Sequence, residues 1–396
     1  MLREVVLAGG VRTAIGGFCG TLAEVPAPAL AAQAIRAALQ RAGIDGSEVR
    51  EVIVGNVVGA GLGQNVARQA ALAAGLAPSV AAMTVNKVCG SSLKAVMLAA
   101  QAIQCGDSDV IVAAGTENMS AAPYLLTKAR AGYRMGNGEL IDSMIRDGLW
   151  DVYHNLHMGT FGDRAAEKYH ISRQEQDDFA VASYRRALEA QASGVFAEEI
   201  IPVEIATRKG SVQATVDEEP GRFNEEKLRA LRPAFGPQGT VTAGNASSIN
   251  DGAAAVVVLS REQADRLGVK PQARILGYTS ASREPEWFTL APVAAIDNLL
   301  KCIRVSVKDV GAFEINEAFS VVPMAAMREL GIPHERLNVH GGAVALGHPI
   351  GASGARVLVT LLGAMRRREA SVGIASLCIG GGEAVAMAVQ RLGNGD

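Results

Sequence analysis

Residues 31–56 read AAQAIRAALQRAGIDGSEVREVIVGN, and residues 292–316 read PVAAIDNLLKCIRVSVKDVGAFEIN. In each segment a helical pattern leads into a short apolar strand, which ends at an asparagine, Asn56 or Asn316. The same order continues in both parts of the chain. Ala-rich helices follow Gly-containing turns at residues 90–100 and 351–361, and strands followed by glycine-containing sequence lie at 109–118 and 372–382. Alternating strands and helices predict an α/β protein, and the repeated order predicts a duplicated core.

The boundaries of these elements follow from the spacing of apolar residues. Short Val- and Ile-rich runs predict buried strands at 51–58, 109–114, 312–315 and 372–377. Helical periodicity predicts helices at 28–42, 91–104, 292–302 and 353–367.

The middle of the chain has a different composition. Residues 121–249 hold most of the aromatic residues and long charged helical stretches such as 173–192. Insertions of this size often form the wall of a substrate site. We therefore predict an N-terminal half at 1–120 that is completed by 250–270, an inserted loop domain at 121–249, and a C-terminal half at 271–396.

The overall composition excludes several classes of protein. With 38 Lys+Arg against 40 Asp+Glu, the formal net charge is −2, too small for a broad surface that binds nucleic acid or an anionic membrane. A hydrophobic content of 49% argues against disorder. The first residues lack a secretory signal and no apolar run reaches the ~18 residues of a membrane span, so we expect a cytoplasmic protein.

Five cysteines, Cys19, Cys89, Cys105, Cys302 and Cys378, are present without a CxxC pair, and the six histidines form neither HxxxH nor HExxH. This pattern argues against a disulfide framework and against a zinc site. We expect no bound metal, and we assign Cys19, Cys105 and Cys302 to packing.

Cys89 lies in VNKVCGSSLKAV (85–96), just before a Gly-Ser-Ser turn into a helix. A thiol at a helix N-terminus is stabilised as the thiolate by the helix dipole and by unpaired N–H groups. A free cysteine is, however, more often a small buried hydrophobe. The motif alone leaves both interpretations open.

His348 lies in NVHGGAVALGHPIGASGAR (338–356), among glycines that let the backbone approach a ligand. The alternative is a structural histidine in a loop. Cys378 lies in SLCIGGGEAVA (376–386), where the glycines that follow the strand, Gly380 first, can expose backbone N–H groups as an oxyanion hole.

Asn316 and Glu317 directly follow a predicted strand in EINEAF (314–319), at the strand end where ligands bind in α/β sheets. Capping of a helix predicted at 318–328 is the alternative role for Asn316. Together, two thiols, one imidazole and one amide lie where a strand ends or a helix begins. This set of groups suits acyl transfer combined with removal of a proton from carbon.

These motifs resemble those of the thiolase family, and within it the acetyl-CoA acetyltransferases. VNKVCGSSLKA resembles the block of the family that holds the nucleophile, NEAF the asparagine block, GGAVALGHPIGASGAR the histidine block and CIGGG the block of the second cysteine. The segments at 227–235 and 240–255 match as well, so the resemblance covers nearly the whole chain. It implies the thiolase fold, with duplicated α/β halves in five layers (αβαβα) and an inserted loop domain.

The resemblance also implies a reversible Claisen condensation of two acetyl-CoA to acetoacetyl-CoA and CoA. Cys89 would carry the acyl group after His348 takes its proton, and Cys378 would remove the α-proton of the second acetyl-CoA. His348 and a water held by Asn316 would stabilise the enolate. The backbone N–H groups of Cys89 and Gly380 would stabilise the tetrahedral intermediate. Coenzyme A is substrate and product, and no other cofactor is implied.

The residues implied to bind substrate are less specific. Ala243, Ser247 and Leu231 would line the pantetheine tunnel, HMG at 157–159 would narrow the acyl pocket through Met158, and NEAF adds Ala318 and Phe319. The candidates His157 and Met158 also suit simple core packing. Two residues depart from the family pattern: Phe161, and Phe288, where acetyl-specific members tend to have Met. These departures leave open which acyl chain length the protein prefers.

Two alternatives within this chemistry remain: a degradative 3-ketoacyl-CoA thiolase acting on longer chains, and a β-ketoacyl synthase, which would leave Cys378 without a role. A non-catalytic homologue that only binds acyl-CoA would be expected to lack Cys89, His348 or Cys378. The resemblance also implies a homotetramer, built as a dimer of dimers. We expect Cys89 to have a low pKa, and the arginines at 185–186 and 366–368 to form solvated helix faces rather than to bind the phosphates of CoA.

Overall fold

The computed structural model describes residues 3–207 and 210–393. The strands are β1 Val5–Thr13, β2 Gly16–Gly17, β3 Glu51–Gly55, β4 Ala81–Val85, β5 Val110–Asn118, β6 Tyr124–Leu125, β7 Ile141–Asp142, β8 Trp150–Asp151, β9 Leu156–His157, β10 Ile200–Ile201, β11 Val203–Thr207, β12 Gly210–Ala214, β13 Asn250–Ser260, β14 Ala273–Ser282, β15 Ala312–Ile315, β16 Val372–Ile379 and β17 Glu383–Arg391.

The α-helices are α1 Ala27–Ala42, α2 Val66–Ala73, α3 Ser91–Cys105, α4 Met158–Lys168, α5 Arg173–Ala192, α6 Glu225–Ala230, α7 Arg261–Leu267, α8 Ala291–Ile303, α9 Val321–Leu330, α10 Ala343–Leu346 and α11 Ser353–Arg367. Short 3-10 helices lie at Gly46–Glu48, Phe196–Glu198, Glu219–Arg222, Pro285–Leu290, Val307–Asp309, His334–Arg336 and Ile350–Ala352, and a π-helical turn at Ile145–Leu149.

One mixed sheet runs through both halves of the chain in the order β15-β16-β17-β14-β1-β13-β5-β3-β4. The halves meet where β1 pairs with β14, over only two residue pairs. On either side of this junction the order is mirrored, because β14, β17, β16 and β15 take the places of β1, β13, β5 and β3. This symmetry confirms the duplication predicted from the repeated helix–strand order.

The layers follow from the alternation of side chains along each strand. In β3, Val52 and Val54 pack with α1 and α2 on one face, whereas Ile53 packs with α3 and α11 on the other. In the second half, Phe313 and Ile315 of β15 pack with α8 and α9. Helices α3 and α11 therefore lie between the two halves of the sheet, and the order of layers is αβαβα as expected.

The predicted elements lie close to the observed ones. The helices predicted at 28–42 and 353–367 agree with α1 and α11 to within a residue, and the strand predicted at 312–315 is β15. The strand at 51–58 ends earlier, at Gly55, because Asn56 donates its side-chain amide to Glu117 and the chain turns there. The helix predicted at 318–328 begins at Val321 and is preceded by Ser320, so Asn316 does not cap it.

Residues 88–105, which include α3, have the average hydropathy and length of a membrane span, but 61% of this window is buried inside the molecule. It is a core helix, in contact with α11 and with strands of the sheet.

The assignment of three cysteines to packing is wrong. Cys19, Cys105 and Cys302 are all exposed. Cys105 is the last residue of α3 and Cys302 lies in the last turn of α8, where the helices leave the core.

Between β5 and β13 the chain forms short hairpins, β6–β7, β8–β9 and β11–β12, together with α4, α5 and α6. Several of its segments contribute to the wall of the cavity described below. The domain boundaries drawn from composition stay a prediction.

Candidate active site

A cavity of about 470 Å³ opens where the inserted segment covers the ends of the sheet strands. Its wall is mostly apolar, with few polar groups. Most of the candidate residues named from the sequence line it: Cys89, His157, Met158, Ala243, Ser247, Phe288, Ala318, Phe319, His348 and Gly380. Cys378 and Asn316 are buried behind this lining.

Cys89 lies in the tight turn that joins β4 to α3. Val88 before it has a φ of +45°, a left-handed conformation that β-branched residues rarely adopt. The Ser91 hydroxyl holds the turn, because it accepts from the Lys87 N–H at 2.8 Å and donates to the Val88 carbonyl at 2.6 Å. The thiol is therefore presented from a fixed backbone just before a helix begins.

The strand that carries Cys378 packs directly against this turn. A Cβ on Gly90 would lie 2.5 Å from the end of the Ile379 side chain, so the turn and the strand are in close contact here. The backbone N–H groups of Gly380 and of Cys89 itself donate to the Cys89 sulfur. The pair of N–H groups implied by the resemblance for the tetrahedral intermediate is thus aimed at the nucleophile.

The expectation of a low pKa for Cys89 is wrong. Burial raises the pKa of the Cys89 thiol to about 11, and the nearby Glu117 carboxylate adds to the increase. The hydrogen bonds from the two backbone N–H groups oppose burial without overcoming it. The helix N-terminus does not produce a thiolate here, because removing the thiol from water costs more than the helix dipole returns.

The pKa of the second thiol is raised as well. Burial raises the pKa of Cys378 well above its usual range, and its proximity to Cys89 raises it further. Both sulfurs therefore carry their protons in the free protein. Each thiol becomes a thiolate only when a base or a substrate takes its proton.

His348 is held in its loop by its own backbone. Its N–H donates to Asn250 Oδ1 at 2.9 Å, and Gly347 before it has a φ of +104° and no room for a Cβ, which would lie 2.3 Å from the Asn250 side chain. Burial, together with the positive charge of Arg356, lowers the pKa of His348 to about 3. The imidazole is therefore neutral at physiological pH.

Ser353, the first residue of α11, controls which ring nitrogen of His348 carries the hydrogen. Its Oγ lies 2.6 Å from His348 Nδ1 and 2.9 Å from the Pro349 carbonyl oxygen. If the hydroxyl donates to Pro349, Nδ1 must carry the hydrogen and Nε2 is a base. If it donates to Nδ1, Nε2 carries the hydrogen and is a donor. Nε2 is buried and finds no hydrogen-bond partner in the described part of the chain.

Asn316 comes directly after β15, and its N–H donates to the Ser376 carbonyl of the strand that bears Cys378. Its Oδ1 accepts from Arg356 Nη2 at 3.5 Å. Its Nδ2, within residues 3–207 and 210–393, is buried without a hydrogen-bond partner. An amide donor and an imidazole nitrogen, both buried and both unused, are the two groups named from the sequence for the enolate.

Glu117 ties the histidine loop to the N-terminal half, and sequence analysis did not single it out. Its carboxylate accepts the backbone N–H groups of Val57, Val58 and Gly351, at 2.9 to 3.1 Å. Burial raises the pKa of Glu117 to about 7 in spite of these hydrogen bonds. An acidic residue inside an apolar strand, in AAGTEN, is the signal that could have identified it.

A chain of rings lines one side of the cavity. His157 stacks on Phe235 with a centroid distance of 4.6 Å, and Phe235 meets Phe319 edge-on at 6.4 Å. Phe288 meets both Phe319 and Phe161 edge-on at 6.4 Å. The Met158 methyl lies 3.2 Å from where a Cβ on Gly380 would stand. These rings and Met158 restrict the space beside the reactive groups.

Leu231 is exposed and is not among the residues that line the cavity. Its carbonyl accepts from Arg173 at 2.9 Å, and a Cβ on Gly244, next to Ala243 of the cavity wall, would lie 2.9 Å from its side chain. That Leu231 lines the pantetheine tunnel stays a prediction.

The arginines considered for phosphate binding lie elsewhere. Arg366 and Arg367 pair with Glu198, and Arg185 pairs with Glu225. In the described residues the only cationic side chain that lines the cavity is Arg222, which is about half exposed and pairs with Glu218 and Glu219. Sequence analysis did not identify it, since a single arginine in a charged segment carries no pattern.

Comparisons with known proteins agree along the whole chain. The family model "Thiolase, N-terminal domain" matches residues 5–262, and "Thiolase, C-terminal domain" matches residues 269–391. An acetyl-CoA acetyltransferase of Cupriavidus necator is 52% identical over 392 residues, covering 98% of this chain and 100% of that protein.

Two solved structures are also similar. The acetyl-CoA acetyltransferase of Bacillus anthracis superposes with a TM-score of 0.97 at 42% identity, covering 99% of both chains. The Acat5 thiolase of Ascaris suum, solved in complex with coenzyme A, has a TM-score of 0.94 at 42% identity and covers 98% of this chain and 100% of its own.

Proposed function

The chain belongs to the thiolase family, and from this premise we propose that it is an acetyl-CoA acetyltransferase that joins two acetyl-CoA into acetoacetyl-CoA and CoA, reversibly. The observation that carries the proposal is the single cavity wall that brings together Cys89, His348 and Gly380, with Cys378 and Asn316 directly behind it. The relative from Cupriavidus necator is named an acetyl-CoA acetyltransferase, which favours this function over the degradative alternative with longer chains.

The first half-reaction is acyl transfer to Cys89. Since the thiol is neutral, its attack on the thioester carbon needs a base, and His348 Nε2 supplies one when Ser353 donates to Pro349. The N–H groups of Cys89 and Gly380 then stabilise the oxyanion. His348 passes the proton to the departing CoA sulfur, which leaves acetyl-Cys89 and free CoA.

The second half-reaction forms the carbon–carbon bond. His348 Nε2, a free base again once CoA has left, takes the proton of the neutral Cys378 thiol. The Cys378 thiolate removes a proton from the methyl group of a second acetyl-CoA, and the resulting enolate carbon attacks the carbonyl carbon of acetyl-Cys89. The carbon–sulfur bond to Cys89 then breaks, and the Cys89 thiolate takes the proton held by His348, so that acetoacetyl-CoA is released and both thiols are neutral again. The enolate oxygen accepts from His348 Nε2, which now carries the proton taken from Cys378, and from a water bound by Asn316 Nδ2. Base and enolate stabilisation must act together, because the α-proton of a thioester is only weakly acidic.

Substrate size is limited by the ring wall. Met158 next to Gly380 and the edge-on pair of Phe288 and Phe319 leave room for a short acyl group. Arg222, with its exposed guanidinium on the cavity wall, is the cation we assign to the phosphate end of CoA. No cofactor other than coenzyme A is part of the proposal.

The test is the rate of thiolysis, compared as kcat/KM for acetoacetyl-CoA and for 3-ketooctanoyl-CoA. We expect a strong preference for acetoacetyl-CoA, and no activity in Cys89→Ser. Phe288→Ala should reduce the ratio of kcat/KM for acetoacetyl-CoA to that for 3-ketooctanoyl-CoA, because it widens the cavity beside the reactive groups. Equal or better use of the longer substrate by the unmodified chain would assign it to the degradative function instead.

We also propose that the protein is a cytoplasmic homotetramer. Large apolar side chains are exposed along residues 124–140, and Met135 is 98% exposed. Exposed apolar surface of this kind is typical of an assembly interface. Analytical ultracentrifugation is expected to give the mass of four chains, and Met135→Glu with Leu140→Glu to give a smaller species. A monomeric unmodified chain would contradict the tetramer.

A further inference from the structure

Arg356 is a fully buried cation for which the reaction above has no use. It lies in α11, three residues after Ser353, so both side chains project from the same side of the first turn of the helix. Ser353 contacts His348, and Arg356 contacts Asn316. One helical turn thus touches both groups assigned to the enolate.

The Arg356 guanidinium is held from the opposite side by Glu314. Glu314 and Asn316 are two positions apart in the chain at the end of β15, so their side chains point to the same face, toward α11. Arg356 Nη1 and Glu314 Oε2 lie 3.9 Å apart, and both side chains are 2% exposed. Burial raises the pKa of Glu314 to about 8, and the positive charge of Arg356 opposes this increase. A buried cation of this kind is retained only with a partner of opposite charge, because an unpaired buried charge is costly.

The contact determines which end of the Asn316 amide faces which way. A guanidinium has only donors, so it can approach the amide oxygen but not the amide nitrogen. With Oδ1 turned toward Arg356, Nδ2 must point away from α11, and this nitrogen is the one left without a partner in the described structure. Rotating the amide by 180° would set two donors against each other.

We propose that Arg356, anchored by Glu314, is a positioning residue that fixes the Asn316 amide so that Nδ2 is offered to the enolate site. This inference rests on the proposed function and names a residue that supports one half-reaction only. Without Arg356 the amide can turn, and the donor is lost for part of the time. Acyl transfer to Cys89 does not use Asn316, and loss of the Arg356 charge makes the His348 base stronger rather than weaker, so this step should not slow.

The experiment uses the double variant Arg356→Met/Glu314→Gln, which removes both charges and leaves neither unpaired. Two rates are measured: acetylation of Cys89 by labelled acetyl-CoA, and exchange of the acetyl-CoA methyl protons with deuterium from solvent. We expect acetylation to be no slower than in the unmodified chain, and exchange and condensation to be slowed by about 10- to 100-fold, less than the full loss of an oxyanion donor. Arg356→Lys, which keeps a charged donor, should recover part of the rate.

Two controls separate positioning from a merely structural role. Lys94 stands three residues after Ser91 in α3, as Arg356 stands after Ser353, and Lys94→Met should leave both rates unchanged. In an Asn316→Ala background the double variant should cause no further loss, because nothing remains to be positioned.

Equal losses in both half-reactions, or a multiplicative loss in the Asn316→Ala background, would overturn the inference. Its failure is distinct from failure of the proposed function. If the unmodified chain neither acetylates Cys89 nor converts acetoacetyl-CoA, the proposed function itself is wrong.

Discussion

The two halves of the core place an asparagine at the same point, and the two asparagines do different work. Asn56 follows β3 and Asn316 follows β15, its counterpart in the second half. The Asn56 amide donates to Glu117 at 2.8 Å and to the Thr116 carbonyl at 3.2 Å, so its donors are used inside the protein. The Asn316 amide has its oxygen occupied and its nitrogen unpaired in the part of the chain that the structure describes.

The difference shows how a duplicated fold can divide its tasks. In the N-terminal half, polar groups at the strand ends are used to hold the turns, and among its described residues Cys89 is the one whose polar side chain lines the cavity. In the C-terminal half, His348 Nε2 and Asn316 Nδ2 are buried and have no hydrogen-bond partner within the described residues. Buried polar atoms without partners are rare and costly, which marks the C-terminal corners as the place where a substrate oxygen is expected.

The largest effect should come from the thiol of the C-terminal half. Cys378→Ala removes the base for the second half-reaction and leaves the first intact. We expect condensation to fall by about 10²- to 10⁴-fold, the usual contribution of a general base, while acetylation of Cys89 continues. Labelled acetyl-CoA and mass spectrometry of the trapped acyl-enzyme measure the two steps separately. Loss of acetylation would contradict the division of roles.

The two asparagines offer the next test. Asn316→Ala removes a donor to the enolate and should slow condensation by about 10²- to 10³-fold, with acetylation of Cys89 and thermal stability nearly unchanged. Steady-state condensation rates and thermal unfolding measure the two quantities.

Asn56→Ala is the matched variant in the other half. This variant removes a hydrogen bond that the buried Glu117 carboxylate accepts, and it should lower the free energy of unfolding by about 1–3 kcal/mol. The folded fraction should show no selective loss of condensation. If Asn56→Ala impaired condensation selectively, the comparison between the halves would fail.

The pH dependence of alkylation tests the state of the N-terminal thiol. Because burial raises the pKa of Cys89 to about 11, the thiolate fraction should grow about tenfold for each pH unit between pH 7 and pH 10. The rate of modification of Cys89 by iodoacetamide should rise with pH over this range. A rate that levels off below pH 7 would instead indicate a thiolate that is stable in the free protein.

The two serines at the starts of α3 and α11 give the smallest expected effect. Ser353→Ala removes one hydrogen bond to His348, and we expect both half-reactions to slow by about 2- to 10-fold, as for the loss of a neutral hydrogen bond. Ser91→Ala loosens the turn that presents Cys89 and should mainly affect acetylation. Enolate formation is measured by proton exchange. If Ser91→Ala and Ser353→Ala slowed it equally, the two serines would not differ in the half-reaction they support.

Much of the architecture could be predicted from the sequence, because it depends on local pattern. Helix α11 and strand β15 were predicted at their observed bounds. The five layers were implied by the family resemblance, and they agree with the structure because each half covers both faces of its part of the sheet. The end of β3 was missed, because it depends on Glu117, which lies some 60 residues away in the chain.

The sequence predicted which residues form the candidate site, but not the protonation state of its thiol. The motifs identified Cys89, His348, Cys378 and Asn316 because each follows a strand or precedes a helix. The pKa of Cys89 was predicted in the wrong direction, since local sequence shows the helix N-terminus but not the burial around it.

The sequence alone determined the α/β alternation, the duplication and the residue types able to carry acyl transfer, since all three are written in local order and spacing. Only the tertiary structure decided which of two equivalent asparagines keeps a free donor, which proton state the thiols and the imidazole hold, and that Arg356 lies against Asn316. These properties depend on distances between distant segments and on exclusion of water, which no stretch of sequence contains.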